Sequence, residues 1–497
     1  MRLTELTAKY SHELISGGGQ LDTEISSLAN DLEDVEEGCL FFCLRGKSVD
    51  GHSLAKRAIK KGAAALVVER EVKVDVPQIL VEDTRHALSV LSSEFYNNPS
   101  KRIRVIGITG TNGKTTTAHM LATMLNAAGK KTGIIGTLGV RYGEERYDCP
   151  LTTPDPIFLQ KTLLKMFAAD MQYAVIEVSA HALYYQKTAG VQFAACICTN
   201  LSQDHLDFFA DMQAYKQAKL MLFTPERCPL AIVNADDEIV EDILSLRKTD
   251  SPALETLTYS LLREEDAFAN VRVLSSKETT CAFFVLREKE NVVIPMIGKH
   301  NVYNALAAAL CAVKLGVPLS TVANALCRFE GVDGRLQFVQ DLKGAKIFVD
   351  FAHTPDGLSK SLQTLSAYAE NRLICLFGCG GNRDKSKREM MGKTVAALAD
   401  FSILTTDNPR FEDPLDIIRE IEKGYRGGDA AYIVIPKREK AIEYALDIVQ
   451  KGDVLLVAGK GGEQYQEIMG IKYPFNDNDI LKKYCQAYEN ADDGCPV

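Results

Sequence analysis

The chain has 497 residues, 46% of them hydrophobic and 25% charged, with a formal net charge of −9 and no tryptophan. That length exceeds one ordinary core and implies about three domains of roughly 150 residues each. The acidic balance argues against nucleic acid as the main partner, and no apolar run approaches the roughly 18 residues of a membrane-spanning helix, so no membrane insertion is expected.

The opening stretch "MRLTELTAKYSHELISGGG" lacks the basic-then-apolar order of a secretory signal, which leads us to expect a cytoplasmic location. Cys43, Cys196, Cys198 and Cys375 lie in apolar strand-like runs, where a reduced thiol behaves as a small hydrophobe. Cys375 and Cys379 have no matching second pair, so a zinc site is not expected.

Residues 1–100 read as a small α/β unit: the apolar runs "CLFFCLRG", "AAALVVER" and "QILVED" surround the helical "GHSLAKRAIKKG", and "FYNNPSKR" forms a polar break. A second unit, 101–330, opens on the strand "RVIGITG" and alternates strands ("QYAVIEVS", "AACICTN", "PLAIVNADD") with helical stretches, which predicts a parallel sheet. Between about 255 and 296 the texture becomes antiparallel, and "NVYNALAAALCAVKLG" then reads as a buried helix. A third α/β unit, 331–497, repeats the parallel pattern with "KIFVDF", "RLICLFG", "FSILTTD" and "DVLLVAG". Nearly every strand runs directly into a loop of glycine and polar residues, the position at which ligands bind open α/β sheets.

The strongest local signal is Gly110-Thr111-Asn112-Gly113-Lys114-Thr115-Thr116, between a strand and the helix "TTAHMLATMLNAAG". Glycines admit phosphate to backbone amides, the helix N-terminus favours anions, Lys114 adds charge and the Thr115 hydroxyl suits Mg²⁺. Strict P-loop spacing fails, because Ile108 stands where the first glycine is expected. Glu177 ends an apolar strand, where a carboxylate is costly unless it is paired or binds a metal. Asp204, His205 and Asp207 share one loop, while Lys219 on the helical "YKQAKLMLF" has nothing in its spacing to distinguish it from a solvated lysine. Asn301 and Asn304 read equally as helix caps. Asp350 and His353 follow a strand end that suits nucleotide contacts. Arg335, Arg383 and Arg410 lie in loops of the same edge and indicate anionic ligands. The sequence Asp407-Asn408-Pro409-Arg410 is compatible with a plain proline turn or with an anion site.

In order and spacing, "GITGTNGKTTT", "LTTPD", "EVSAHAL", "TNLSQDHLDF", "KHNVYNA", "DGR", "DFAHTPD", "GCGGNRDKSKR", "DNPR" and "GKGGE" resemble the Mur ligase family over essentially the whole chain. The resemblance implies an N-terminal α/β UDP-substrate domain, a central P-loop-type parallel-sheet ATPase domain and a C-terminal Rossmann-like α/β domain. It implies an ATP- and Mg²⁺-dependent amide ligase of peptidoglycan biosynthesis that activates a carboxylate as an acyl phosphate, acting as a monomer on small molecules. On this likeness Gly110 to Thr116, Asn301, Asn304, Arg335, Asp350 and His353 bind ATP. Thr115, Glu177, His205 and Lys219 hold Mg²⁺, Lys219 as a carbamate, and Lys114, Glu177, His205 and Lys219 are catalytic. Thr152, Thr153, Ser179 and Lys187 contact UDP-MurNAc-L-Ala-D-Glu; Arg383, Asp407, Asn408, Pro409, Arg410, Gly459 and Glu463 bind the amino acid. The arginine of "DNPR" points to meso-diaminopimelate, whose distal carboxylate Arg410 can grip; lysine is expected to leave that arginine buried without a partner.

Departures from the family pattern concentrate at the substrate ends. Asp31-Leu32-Glu33 replaces Asp-Ser-Arg, Ala180 a serine, Lys187 an arginine, Asn382 an aspartate and Gly462 a histidine. They leave open an altered UDP-substrate or another amino acid such as L-lysine. A folylpolyglutamate synthase-like ligase shares the nucleotide loop but not "AHTPD" and "DNPR". A nucleotide-binding protein without catalysis fits poorly with Lys114, Glu177, His205 and Lys219 all present.

Overall fold

A computed structural model describes residues 1–492 apart from 16–22, 47–48, 150, 207, 249–253, 275–277 and 427. Asp207 therefore lies outside the described residues. Three large sheets, of five, eleven and six strands, follow one another along the chain.

The first sheet has the spatial order Glu13–Ile15, Gln78–Leu80, Ala63–Val68, Cys39–Phe42, Ser27–Ala29, parallel except at its first strand. Cys39–Phe42 is wholly buried, as an apolar run without alternation requires. The segment read as one helix is a 3₁₀ turn, Gly51–Leu54, followed by the helix Ala55–Lys60.

In the second sheet the strand Arg104–Thr109 lies between Tyr173–Glu177 and Phe193–Cys198 and is parallel to both. Helices cover its two faces: Lys114–Ala127 and Lys299–Lys314 bring Leu121, Leu125, Leu306 and Leu310 to one side, and Pro156–Ala168 brings Leu159, Leu163 and Met166 to the other. Each such fully buried side chain contributes about 1.5–3 kcal/mol over its exposed state. The antiparallel texture expected after 255 begins later. Glu255–Ser260 still pairs parallel with Leu230–Asn234, and the meander is Ala267–Leu274, Thr279–Val285 and Glu288–Ile294, continuous with the same sheet. At the opposite edge Gly139–Tyr142 and Glu145–Tyr147 add antiparallel strands that the parallel pattern did not announce.

The third sheet runs Gln337–Leu342, Ala345–Asp350, Val454–Ala458, Leu373–Phe377, Phe401–Leu404, Ala431–Val434, parallel except at its first strand. Arg438 and Asp477, both fully buried, form a two-pronged ion pair at 2.8 and 2.7 Å that ties the helix Asp477–Asp492 to this sheet. Removing one partner would strand a buried charge at a cost of about 3–5 kcal/mol. A small hairpin, Tyr465–Ile468 with Ile471–Pro474, stands beside the sheet's carboxyl edge.

Candidate active site

One cleft of about 1110 Å³ collects the loops at the carboxyl ends of the second and third sheets. It is lined by Thr111 to Thr116, Thr152, Thr153, Glu177, Ser179, Lys187, His205, Asn301, Asn304, Arg335, Asp350, His353, Arg383, Asp407, Asn408, Arg410, Gly459 and Glu463. Among the residues expected at a site, Gly110, Lys219 and Pro409 stand behind that lining.

The Gly110 to Thr116 loop is shaped by two glycines in the left-handed region. At Gly110 (φ +145°) a Cβ would meet Thr199 Oγ1 at 1.9 Å, and at Gly113 (φ +86°) it would meet Asn304 Oδ1 at 2.3 Å. The loop after Phe193–Cys198 braces it: Thr111 N donates to Asn200 O at 2.9 Å, Asn112 N to Asn200 Oδ1 at 3.0 Å and Thr199 Oγ1 to Asn112 O at 2.6 Å. Lys114 Nζ lies across the loop, donating to Gly110 O at 2.8 Å and Thr111 O at 2.9 Å. Burial lowers its pKa, with Glu177 opposing. Asn304 Nδ2 donates to Asn301 Oδ1 at 3.2 Å, so the two asparagines form one polar pair at the start of their helix.

Glu177 is 1% exposed. Thr115 Oγ1 donates to its Oε2 at 2.8 Å, Thr137 N to its Oε1 at 2.9 Å and Thr137 Oγ1 to Oε2 at 3.1 Å. Arg335 Nη2 in turn donates to Thr115 Oγ1 at 3.0 Å and stacks its guanidinium over Phe351 at 4.5 Å. Gly136 leaves the room: a Cβ there would lie 2.1 Å from Glu177 Oε1.

His205 adopts φ 57°, with Nε2 3.3 Å from Asp204 Oδ2 and its ring 4.6 Å from that of His181. Burial drives its pKa well below the usual histidine range, against the pull of Asp204. Burial likewise brings His353 down to about 4, and its Nδ1 faces Phe351 O at 2.9 Å. Lys219 is 1% exposed; its ammonium sits 4.5 Å over the Tyr215 ring and has no carboxylate at ion-pair distance among the described residues. Burial, reinforced by Lys114, lowers its pKa to about 7. Lys219 is therefore a buried lysine and not the solvated one its spacing allowed. Asp350 accepts from Leu336 N at 3.2 Å and from the Ser361 hydroxyl, and burial raises its pKa.

At the expected UDP-substrate end, Thr153 is committed internally. Its hydroxyl donates to Glu177 O at 2.8 Å and accepts from Ser179 N at 2.9 Å. Thr152 Oγ1 meets Thr137 Oγ1 at 3.1 Å, and Lys187 pairs with Asp155 at 2.8 Å. Ala180 packs with Phe209, Tyr215 and Ala218, and Asp31 Oδ1 accepts from Glu33 N at 2.9 Å in an outer loop.

At the other end, Asp407 Oδ1 accepts from Asn408 N at 2.6 Å; burial would raise its pKa, but Lys460 and Arg438 outweigh that and hold it low. Gly459 (φ +110°) places its Cβ position 2.6 Å from Asp407 Oδ2. Fully buried Lys460 donates to Asn408 Oδ1 at 3.0 Å and Glu463 Oε2 at 2.8 Å, and Asn408 Nδ2 reaches Glu463 Oε2 at 2.9 Å. Pro409 does make a turn, with Glu412 N donating to Pro409 O at 3.0 Å. Asn382 Oδ1 accepts from Phe411 N at 3.0 Å, and Arg383 stands exposed at the rim. At Gly462 a side chain would meet Asp333 O at 3.1 Å. Arg410 is not left without partners: Nε donates to Glu467 Oε2 at 3.1 Å and Nη1 to Gly381 O at 2.8 Å. The penalty expected for lysine therefore does not follow, because the chain supplies its own anion.

Several contributors were not foreseen. Thr137, Thr199, Asn200 and Lys460 complete the networks above. Asp356 joins the two sheets: its Oδ2 accepts from Asn112 Nδ2 at 2.8 Å, Ser202 Oγ at 2.9 Å and Lys360 Nζ at 2.8 Å. Lys460 and Asp356 lie inside quoted motifs and could have been found by asking which charges in those loops lack a role. Glu467 carries no such signal.

Comparison with known proteins matches the description "Mur ligase family, catalytic domain" to residues 24–96, "Mur ligase middle domain" to 108–312 and "Mur ligase, glutamate ligase domain" to 334–461. The UDP-N-acetylmuramoyl-L-alanyl-D-glutamate–2,6-diaminopimelate ligase of Bacillus licheniformis is 41% identical over 490 residues, covering 97% of this chain and 99% of its own. The Bacillus velezensis protein of the same name is 40% identical, covering 97% and 98%. A solved structure of a ligase with that name superposes with a TM-score of 0.71 at 29% identity, over 98% of this chain and 99% of the other. The Gly110 to Thr116 loop, the buried acid and the DNPR turn thus sit in one cleft of a chain that belongs to the Mur ligase family.

Proposed function

We propose that this protein is an ATP-dependent amide ligase that adds meso-2,6-diaminopimelate to UDP-N-acetylmuramoyl-L-alanyl-D-glutamate in the cytoplasm, during peptidoglycan biosynthesis. The observation that carries this reading is the single cleft in which the nucleotide loop, Glu177 and the Asp407 to Arg410 turn face one another. The names of the full-length relatives support it. Residues 1–100 take the UDP end, 101–330 ATP, and 331–497 the amino acid.

A carboxylate is a poor electrophile. It attacks the γ-phosphorus of ATP, ADP leaves, and the acyl phosphate so formed is attacked by the amine; the tetrahedral intermediate then expels phosphate and the amine's proton is lost. Amides of the Gly110 to Thr116 loop, the N-terminus of Lys114–Ala127 and Lys114 answer the phosphate charge. Asp407 is held ionised by Lys460 and Arg438, so it can accept from the amino acid's ammonium, and Arg410 faces its distal carboxylate.

The donor set fits Mg²⁺. Glu177 is buried, accepts only from hydroxyls and an amide, and pairs with no lysine or arginine among the described residues. Mg²⁺ takes few protein ligands and keeps waters and phosphate oxygens, so Thr115 and Glu177, with neutral His205 and carbamylated Lys219 as further donors, would hold it. When bound, it neutralises charge on the transferring phosphoryl group. Lys219 is suited to carbamylation because a pKa near 7 leaves much of the amine neutral. The ammonium first sheds one proton; the neutral nitrogen then bonds to the carbon of CO₂ and releases a second, so that a cation becomes an anion.

The test is to supply ATP, Mg²⁺, UDP-MurNAc-L-Ala-D-Glu and either diaminopimelate or lysine, and to measure phosphate and the tripeptide product. Turnover with diaminopimelate is expected; turnover with lysine alone would reject the assignment of Arg410.

A further inference from the structure

Arg410 is already half engaged before any amino acid arrives. Its Nε holds Glu467 Oε2 at 3.1 Å and its Nη1 holds Gly381 O at 2.8 Å, with the Arg410 and Glu467 side chains 19% and 22% exposed. Arg410 lines the cleft, whereas Glu467 stands behind it. The hairpin bearing Glu467 also grips the main chain, since Arg410 N donates to Glu467 O at 3.1 Å and Met469 N to Arg410 O at 2.7 Å. Among the described residues the Glu467 carboxylate has no other partner.

A guanidinium has five N–H groups in a fixed fork. With Nε committed to Glu467 and Nη1 partly committed to Gly381, a carboxylate entering from the cleft meets the remaining Nη hydrogens. It must do so with a second carboxylate on the far edge of the same cation, and two like charges so close repel. When the amino acid carries no distal carboxylate, Glu467 keeps Arg410 compensated.

Resting on the diaminopimelate reading above, we propose that Glu467 is a positioning residue that sets specificity: it aims the free edge of Arg410 into the cleft and, as a built-in counter-ion, lowers discrimination between amino acids with and without a distal carboxylate.

The experiment measures kcat and KM for diaminopimelate and lysine in the wild type, Glu467→Gln and Glu467→Asp, with thermal midpoints recorded for each. Gln keeps an acceptor for Nε but removes the charge. The ratio of kcat/KM for diaminopimelate over lysine should rise about tenfold, mainly through a lower KM for diaminopimelate. Asp keeps the charge and should hold the ratio within about twofold of the wild type. An unchanged or lower ratio in Glu467→Gln, or an equal loss with both amino acids, overturns the proposal even if diaminopimelate remains the substrate. A wild type that uses neither amino acid overturns both this proposal and the reading on which it rests.

Discussion

Thr115 opens a helix and Glu177 ends a strand, yet the hydroxyl of one donates to the carboxylate of the other at 2.8 Å, in a position from which lysine and arginine ion pairs are absent among the described residues. On the function proposed above, this acid would receive Mg²⁺. Glu177→Gln preserves volume and an acceptor while removing the charge. It should lower kcat by about 10²- to 10³-fold, with a raised Mg²⁺ requirement and little change in thermal midpoint. Chelation of Mg²⁺ should abolish turnover in the wild type while leaving the far-UV circular dichroism intact.

Gly136 gives an independent check on the same carboxylate. Because a Cβ would lie 2.1 Å from Glu177 Oε1, Gly136→Ala must displace it. The expected result is a loss of activity comparable to that of Glu177→Gln, with a destabilisation of about 1–3 kcal/mol measured by denaturant unfolding.

Lys219 carries a pH signature. Its folded pKa of about 7 lies below the unfolded value of about 10.4, so the folded state binds fewer protons between these limits and stability should rise with pH across that window. Below about pH 7 the cost of burying the cation is fully present. Capture of CO₂ needs the neutral amine, so activation by bicarbonate should increase from pH 6 to about 7.5 and then level off. Lys219→Ala should lose most activity, and short carboxylic acids should restore part of it; activity indifferent to the substitution would remove the carbamate from the mechanism.

Three histidines of the cleft, His205, His300 and His353, should leave no mark near neutrality. Burial brings His353 and His300 to about 4 and lowers His205 as well. The pH dependence of kcat between 5.5 and 7 should therefore follow Lys219 rather than any of these three imidazoles. A histidine titrating in that interval by NMR, at any of these three positions, would contradict the buried environment described here.

Asp356 predicts a conformational effect. It takes hydrogen bonds from Asn112 and Ser202 across the cleft, each worth about 0.5–1.5 kcal/mol. Asp356→Ala should raise KM for ATP several-fold and enlarge the radius of gyration in solution scattering.

Much of this architecture was legible because the strands are buried on both faces and so read as unbroken apolar runs; Arg104–Thr109, Tyr173–Glu177 and Val454–Ala458 lie within the expected stretches. Glu177 could be singled out for the same reason, as a charge ending such a run. The antiparallel meander after 255 was legible, whereas the opposite edge escaped notice because a short strand such as Glu145–Tyr147 is partly exposed and polar. Lys219 could not be distinguished from a surface lysine, since its burial depends on Tyr215 and on packing from distant segments. The expectation that lysine would leave Arg410 without a partner failed on a residue 57 positions away, in a hairpin whose side chains look like any solvated edge.

The DNPR turn is anchored through its main chain. Gly381 N donates to Asn408 O at 2.8 Å, and both the amide and the carbonyl of Arg410 are taken by the hairpin. Position 410 thus keeps its place whatever side chain it bears, and its φ of 52° suits asparagine or glycine at least as well as arginine. A lineage could exchange the group that meets the incoming amino acid without rebuilding the loop that presents it, and new substrate preferences would be reachable by single substitutions on an unchanged scaffold.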